Sequence, residues 1–260
     1  MCWNWWLLGG LSTDWNEAMK VKGQIIEPGA DLRQAFMFGE DLWQADLTGA
    51  DLRAADLSET HLKWANLSGA NMTGETLRAA DLRGADLSET NLIEAQLLRA
   101  NLRHAILTRA NLLWADLRST NLEHASAHDA NFSRARMQHS KLDGADLSGA
   151  VMNGTSLIEA SLRNANLSKA NLNSADLLWT NLDGAILKDA DLSKTRLSDT
   201  SLKKAGLRGA KLHGAYMRGT QLHDVDLRNA DLSGAIVTDG QLSRASRLDG
   251  AIMPDGKEYR

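Results

Sequence analysis

Cysteine occurs once in the 260 residues, at Cys2, so neither an internal disulfide framework nor a multi-cysteine metal knot holds this chain. Proline occurs twice and aromatic residues 13 times, too little punctuation and bulk for the mixed core of an ordinary α/β enzyme. Long apolar runs are missing as well. Met1 to Leu8 is far shorter than a membrane span, and residues 1 to 19 hold no Lys or Arg, which disfavours a secretory signal. Nor is there a large excess of one charge: 29 basic against 33 acidic residues leave -4, which excludes a basic nucleic-acid coat and an acidic solvating tail. These absences predict a soluble, cytoplasmic chain that forms one large domain or two small ones.

What the sequence does have is a five-residue period. Of the 43 positions spaced by five from Leu32 to Leu242, 35 are Leu, and most of the others are Met or Phe. The residue two places earlier is Ala in 30 of 43 pentads, and the residue between is Asp or Asn in 23 of 43. Five matches neither the helical period near 3.6 nor the strand period of 2. A chain that turns a corner in every pentad would point Leu and Ala inward and leave three polar side chains outside. Gly two places after Leu, in 13 of 43 pentads, suits the positive φ at the third residue of a type II turn and places the corner there.

The unit, seen as Ala50-Asp51-Leu52-Arg53-Ala54 and Ala165-Asn166-Leu167-Ser168-Lys169, resembles the pentapeptide-repeat family over residues 30 to 253. That resemblance implies an all-β fold, a right-handed quadrilateral β-helix with about 20 residues per coil. The chain carries its own sign of this coil. Ser or Thr replaces the inward Ala at nine places, and six of them (Thr60, Thr120, Ser140, Thr180, Thr200, Thr220) differ by multiples of 20. With one slip between Leu242 and Leu248, the pentads make about eleven coils and a rod of roughly 50 Å, and Pro254 begins a C-terminal tail over 254–260. Ala127 at a Leu site, followed by Phe132 and Met137, predicts volume compensation along the axis. Glu40 and Glu75 stand at inward sites, where the expectation is a local distortion that lets each reach solvent, with a polar notch in the wall as the functional alternative.

An open β-helix end exposes strand edges and the Leu stack, so residues 1–29 are expected to form a cap. Asp14 and Glu17 have the spacing of a capping box, Gly23 would end the short helix, and Trp15, Ala18 and Met19 would share its apolar face. Residues 1 to 12 read either as part of this cap or as a membrane or partner anchor. Phe36, Phe38 and Trp43 give Trp3, Trp5 or Trp6 a surface to pack on.

Chemistry is harder to find. Asp is abundant because the repeat requires it, so pairs such as Asp81 and Asp86 carry no acid-base reading, and no phosphate loop, zinc-protease helix or nucleophile elbow occurs. His104 and His124, 20 residues apart, should stack about 5 Å apart and read as a solvated turn rather than a metal site. The expectation is no enzyme, no cofactor and no metal. Basic residues (Arg99, Arg103, Arg109, Arg118, Arg134, Arg136, Lys141) gather in the middle with His104, His124, His128 and His139, as a solvated surface or as docking for an acidic partner.

Apolar residues at outward positions are the more informative departure. Ile93, Leu98, Leu113 and Trp114 should form one surface on neighbouring coils, and Ile158, Leu178 and Trp179 a second. They predict a non-enzymatic interaction module that binds an unidentified protein through its wall, with self-association through a rod end as a further expectation. The resemblance brings one alternative, a DNA-mimicking inhibitor or protector of a type II topoisomerase such as DNA gyrase. Those relatives favour Phe at the central site and project loops, whereas this chain has one central Phe and a single-residue insertion. Its Leu-rich, uninterrupted form resembles bacterial, notably cyanobacterial, members.

Overall fold

Leucines spaced by five face a common axis only if the backbone bends between them. The computed structural model describes residues 19–259 and shows a bend in every pentad: the inward small residue donates its N–H back to the preceding central carbonyl, as from Ala170 to Leu167 at 3.0 Å. The second corner residue has φ between +55° and +73° at every fifth position from Gln34 to Gly234. Glycine adopts this conformation freely, yet 28 of these 41 corners carry other residues. The ladder offsets that strain, because the corner N–H bonds to the next coil, as from Lys169 to Lys188 O at 2.8 Å. At Gly84 the missing side chain also makes room for a neighbour, since a Cβ there would lie 2.1 Å from the exposed Trp64 ring as it is placed.

The residue before each central Leu pairs in parallel with the residue 20 positions on, which gives four ladders. The first face begins Asp31–Asp51, the second Phe36–Asp56, the third Asp41–His61 and the fourth Asp46–Asn66. The preference for Asp or Asn at this ladder position has a direct cause. All 23 of these side chains accept a hydrogen bond from the backbone N–H two residues ahead, bracing the corner from outside. Where Arg follows, as in Asp31-Leu32-Arg33, the guanidinium also bonds the carboxylate and holds the Asp31 carboxyl down to about 2.

The axis is filled by central Leu, Met and Phe side chains and lined by the small residues, nearly all fully buried. Ala127, Phe132 and Met137 lie within this core. Each Ser or Thr at the small site keeps its hydroxyl satisfied by a backbone carbonyl, as Thr180 does on Leu157 O at 2.8 Å. Glu40 reaches solvent and pairs with Lys22 at 2.9 Å. Glu75 does not, which corrects the expected distortion. The backbone around it is regular, its side chain is fully buried, Oε1 accepts from Thr76 N at 2.7 Å and Oε2 has no partner. Burial pushes its carboxyl up to about 8. Alanines above and below, Ala55 and Ala95, leave room for it in the file.

The ends depart most from the sequence reading. At the N-terminal end, β1 (Met19–Val21) and β2 (Gln24–Ile26) form an antiparallel hairpin that puts Val21 and Ile26 into the core. The helix expected from Asp14 to Gly23 is therefore not what caps this end over the described residues. Met19 belongs to β1, and Gly23, at φ +79°, completes the hairpin turn. Asp14, Trp15, Glu17 and the tryptophans of residues 1 to 12 lie outside the described residues. Lys22 sits 4.8 Å from the Phe36 ring centre.

The helix that does form is α1 (Asp239–Leu242), at the opposite end, with Thr238 and Gln241 making its capping box. The one-residue slip is a bulge. Ser246 N donates to Val225 O while Leu227 N donates to Arg247 O, so two residues stand against Asp226. The tail is a closing strand, with Glu258 antiparallel to Ile252. No helix of the described residues is long and apolar enough to cross a membrane.

Candidate functional site

Each side of the coil shows solvent a ladder residue and two corner residues. The first corner residue is mostly half-buried, whereas the second is mostly exposed. This difference sorts the outward apolar residues. Ile93, Leu98, Leu113, Ile158 and Leu178 occupy first corner positions and are half-buried; Trp114 and Trp179 occupy second positions and are 49% and 55% exposed.

Ile93 and Leu113 share the corner between the first and second faces on successive coils, joined through Glu94 N to Leu113 O at 2.9 Å, and Trp114 follows directly. Leu98 stands on the next corner beyond Gln96, in the file that also holds Ile158 and Leu178. The structure thus brings together Ile93, Leu113 and Trp114, and separately Ile158, Leu178 and Trp179, and puts Leu98 on the second corner rather than the first.

Trp114 has further company. Position 134 is its counterpart on the next coil, and the Arg134 guanidinium lies over the indole, 4.9 Å from the ring centre. The following counterpart, Gly154, has no side chain, and the Arg134 stem passes 3.6 Å from where its Cβ would be. The gap opens a groove of about 570 Å³ lined by Trp114, Arg134, Arg136, Asn153, Gly154 and Ser174. Arg136 is 3.9 Å from Asp116, whose carboxylate is already bonded to Arg118 at 2.5 Å. Asn153 Oδ1 is buried without a partner. An aromatic plate, two guanidiniums and an uncommitted amide therefore converge along the rod. Read separately, the tryptophan and the arginines are unrelated in sequence; the 20-residue alignment is the signal that joins them.

The remaining basic residues do not make one face. They wrap several corners, and some have local partners: Arg109 with Glu89, Arg103 with Glu123 at 3.8 Å, His139 with Glu159 at 3.2 Å. His104 and His124 stack as expected, with ring centres 5.3 Å apart and planes 12° from parallel. Among the described residues no three His, Cys, Asp or Glu side chains are grouped to hold a metal ion.

The pentapeptide-repeat family model matches in eight copies, over residues 41–74, overlapping stretches from 76 to 189, and 200–239. The chain is a pentapeptide-repeat protein. Among solved structures of the family, HetL, a pentapeptide repeat protein involved in heterocyst differentiation regulation from the cyanobacterium Nostoc sp. strain PCC 7120, is 30% identical. The match covers 91% of this chain and 94% of HetL, with a TM-score of 0.74. QnrB1, a plasmid-mediated fluoroquinolone resistance protein, is 22% identical over 80% of this chain and 93% of its own, with a TM-score of 0.45. A comparison with the curated proteins found no match. As a pentapeptide-repeat β-helix, the chain has a surface made of files of corner residues, and its departures from polar character are read file by file.

Proposed function

We propose that this pentapeptide-repeat chain is a non-enzymatic interaction module, a rigid right-handed rod of about eleven coils that binds another protein through its outer wall. The observation that carries this reading is the Trp114 groove. A half-exposed indole, held by Arg134 and edged by Arg136, costs the corner an apolar surface that the fold does not need. Tryptophan and arginine are the side chains that most often dominate the energy of an interface. The groove suits a partner segment with an apolar residue against Trp114 and an acidic one near the guanidiniums. The plentiful ladder carboxylates support a non-enzymatic role, because they are engaged in bracing corners. The topoisomerase reading has less behind it: a net charge of -4 with a basic midsection imitates duplex DNA poorly.

Trp114→Ala should weaken binding to the partner by at least ~2 kcal/mol, the loss typical of a buried interface anchor. Its melting midpoint should stay close to the parent's. Calorimetric affinity and thermal unfolding, measured on the same variant and on Trp179→Ala, decide the matter. Unchanged affinity in Trp114→Ala for every partner captured by the full chain would remove this site.

A further inference from the structure

Four ladders reach the C-terminal end of the rod, and each must dispose of its last rung. On the first face the tail does so as an antiparallel strand: Tyr259 N donates to Ala251 O and Met253 N donates to Lys257 O, both at 2.7 Å. On the third face α1 replaces the next rung, Leu242 is buried, and Gln241 Nε2 donates to Thr220 O at 2.9 Å. The fourth ends at a bulge that presents the exposed charge of Arg247, a device that discourages strand pairing.

The second face has none of these protections. Its last ladder residue is Ile236, 55% exposed, beside Tyr216, 52% exposed, on the preceding rung. Ala235 C=O and Val237 N–H, the counterparts of the two groups that the tail engages on the first face, have no partner among the described residues. A pocket of about 460 Å³ adjoins this edge, lined by Tyr216, Arg218, Ile236, Val237 and Gln241. Arg218 has no ion-pair partner among the described residues.

We propose that the rung Ala235–Val237 is a strand-addition site for an extended segment of another protein, with an aliphatic residue opposite Ile236 and an acidic residue two positions before it. The added strand runs antiparallel, as the tail does on the neighbouring face, so its carbonyl accepts from Val237 and its amide donates to Ala235. Residues two apart in a strand share a side, so the aliphatic side chain packs on Ile236 and Tyr216 while the acidic one faces Arg218. A single strand fits better than a second copy of the rod. On the first face Ile252 and the tail strand paired with it rise past this edge, and a blunt rod end would meet them first.

Short random peptides displayed on phage and selected on the full chain, with Ile236→Asp as counter-target, test this site. The enriched sequences should share the acidic-x-aliphatic pattern. A synthetic peptide of that pattern should bind Ile236→Asp more weakly by about tenfold or more and should slow hydrogen exchange at the Val237 amide. Ile236 is exposed, so the variant should keep the parent's melting midpoint. No enrichment over the counter-target, enrichment of unrelated sequences, unchanged Val237 exchange, or an Ile236-dependent dimer of the chain alone in sedimentation would each overturn the proposal.

Discussion

Leu167→Asp should lower unfolding stability by at least ~4 kcal/mol, since it removes a buried side chain and leaves an unpaired carboxylate on the axis. Leu167 is fully buried, its N–H bonds Ile186 O in the ladder and its C=O accepts from Ala170 N within the corner, so the coil has no slack through which a carboxylate could reach water. The adjacent residue offers a clean control. Ser168 lies at a corner, and its backbone N–H, not its hydroxyl, bonds Asn166 at 3.1 Å. Ser168→Ala should therefore change stability by no more than about 0.5 kcal/mol. Urea unfolding of the two variants is the comparison. Equal shifts would mean that the inward and outward positions have been exchanged.

The second large effect concerns pH. In the folded chain Glu75 titrates near pH 8, against an ordinary value of 4.5, because burial disfavours its charged form. The unfolded chain therefore gives up this proton more readily than the folded one. Stability is greatest below pH 4.5 for this group, declines as pH rises from 4.5 to about 8, and levels off above that. A difference of this size corresponds to about 5 kcal/mol across the window. Glu75→Ala restores the residue most common at the inward site, so it should flatten the decline and stabilise the chain most at pH 8.5. Unfolding midpoints of both proteins at pH 5, 7 and 8.5 measure this directly. Parallel pH profiles would show that Glu75 is not the buried acid described above.

The body of the fold is legible in the sequence because one physical requirement, an inward Leu and an inward small residue per corner, is repeated more than 40 times. The corners are only partly legible. Glycine marks 13 of the 41 positive-φ positions, and the ladder imposes that conformation on the other 28 whatever their intrinsic preference. Glu75 was open to misreading for a related reason: the same ladder holds the backbone regular around a side chain that would otherwise escape. The ends follow no repeat, so neither the hairpin Met19–Ile26 nor the fold-back strand at Glu258 has a periodic signature.

The surface shows the same division. Counting by 20 brings Ile93 to Leu113, Ile158 to Leu178 and His104 to His124. It does not show that first corner residues are mostly half-buried and second ones mostly exposed, a difference set by the corner's three-dimensional shape. Nor does it show by itself that Arg134 closes over Trp114, since that depends on which way each side chain turns at its corner.

The wall reading and the strand-addition site both depend on residues 20 apart lying in file along the rod. The most direct test is a distance between two exposed corner positions separated by 100 residues, Glu59 and Glu159. Spin labels at Glu59→Cys and Glu159→Cys, with Cys2→Ser to remove the native thiol, report it by double electron–electron resonance. Five rungs at about 4.8 Å each predict one narrow population centred near ~24 Å. A broad distribution, or a single distance beyond ~40 Å, would contradict the in-file geometry of this chain.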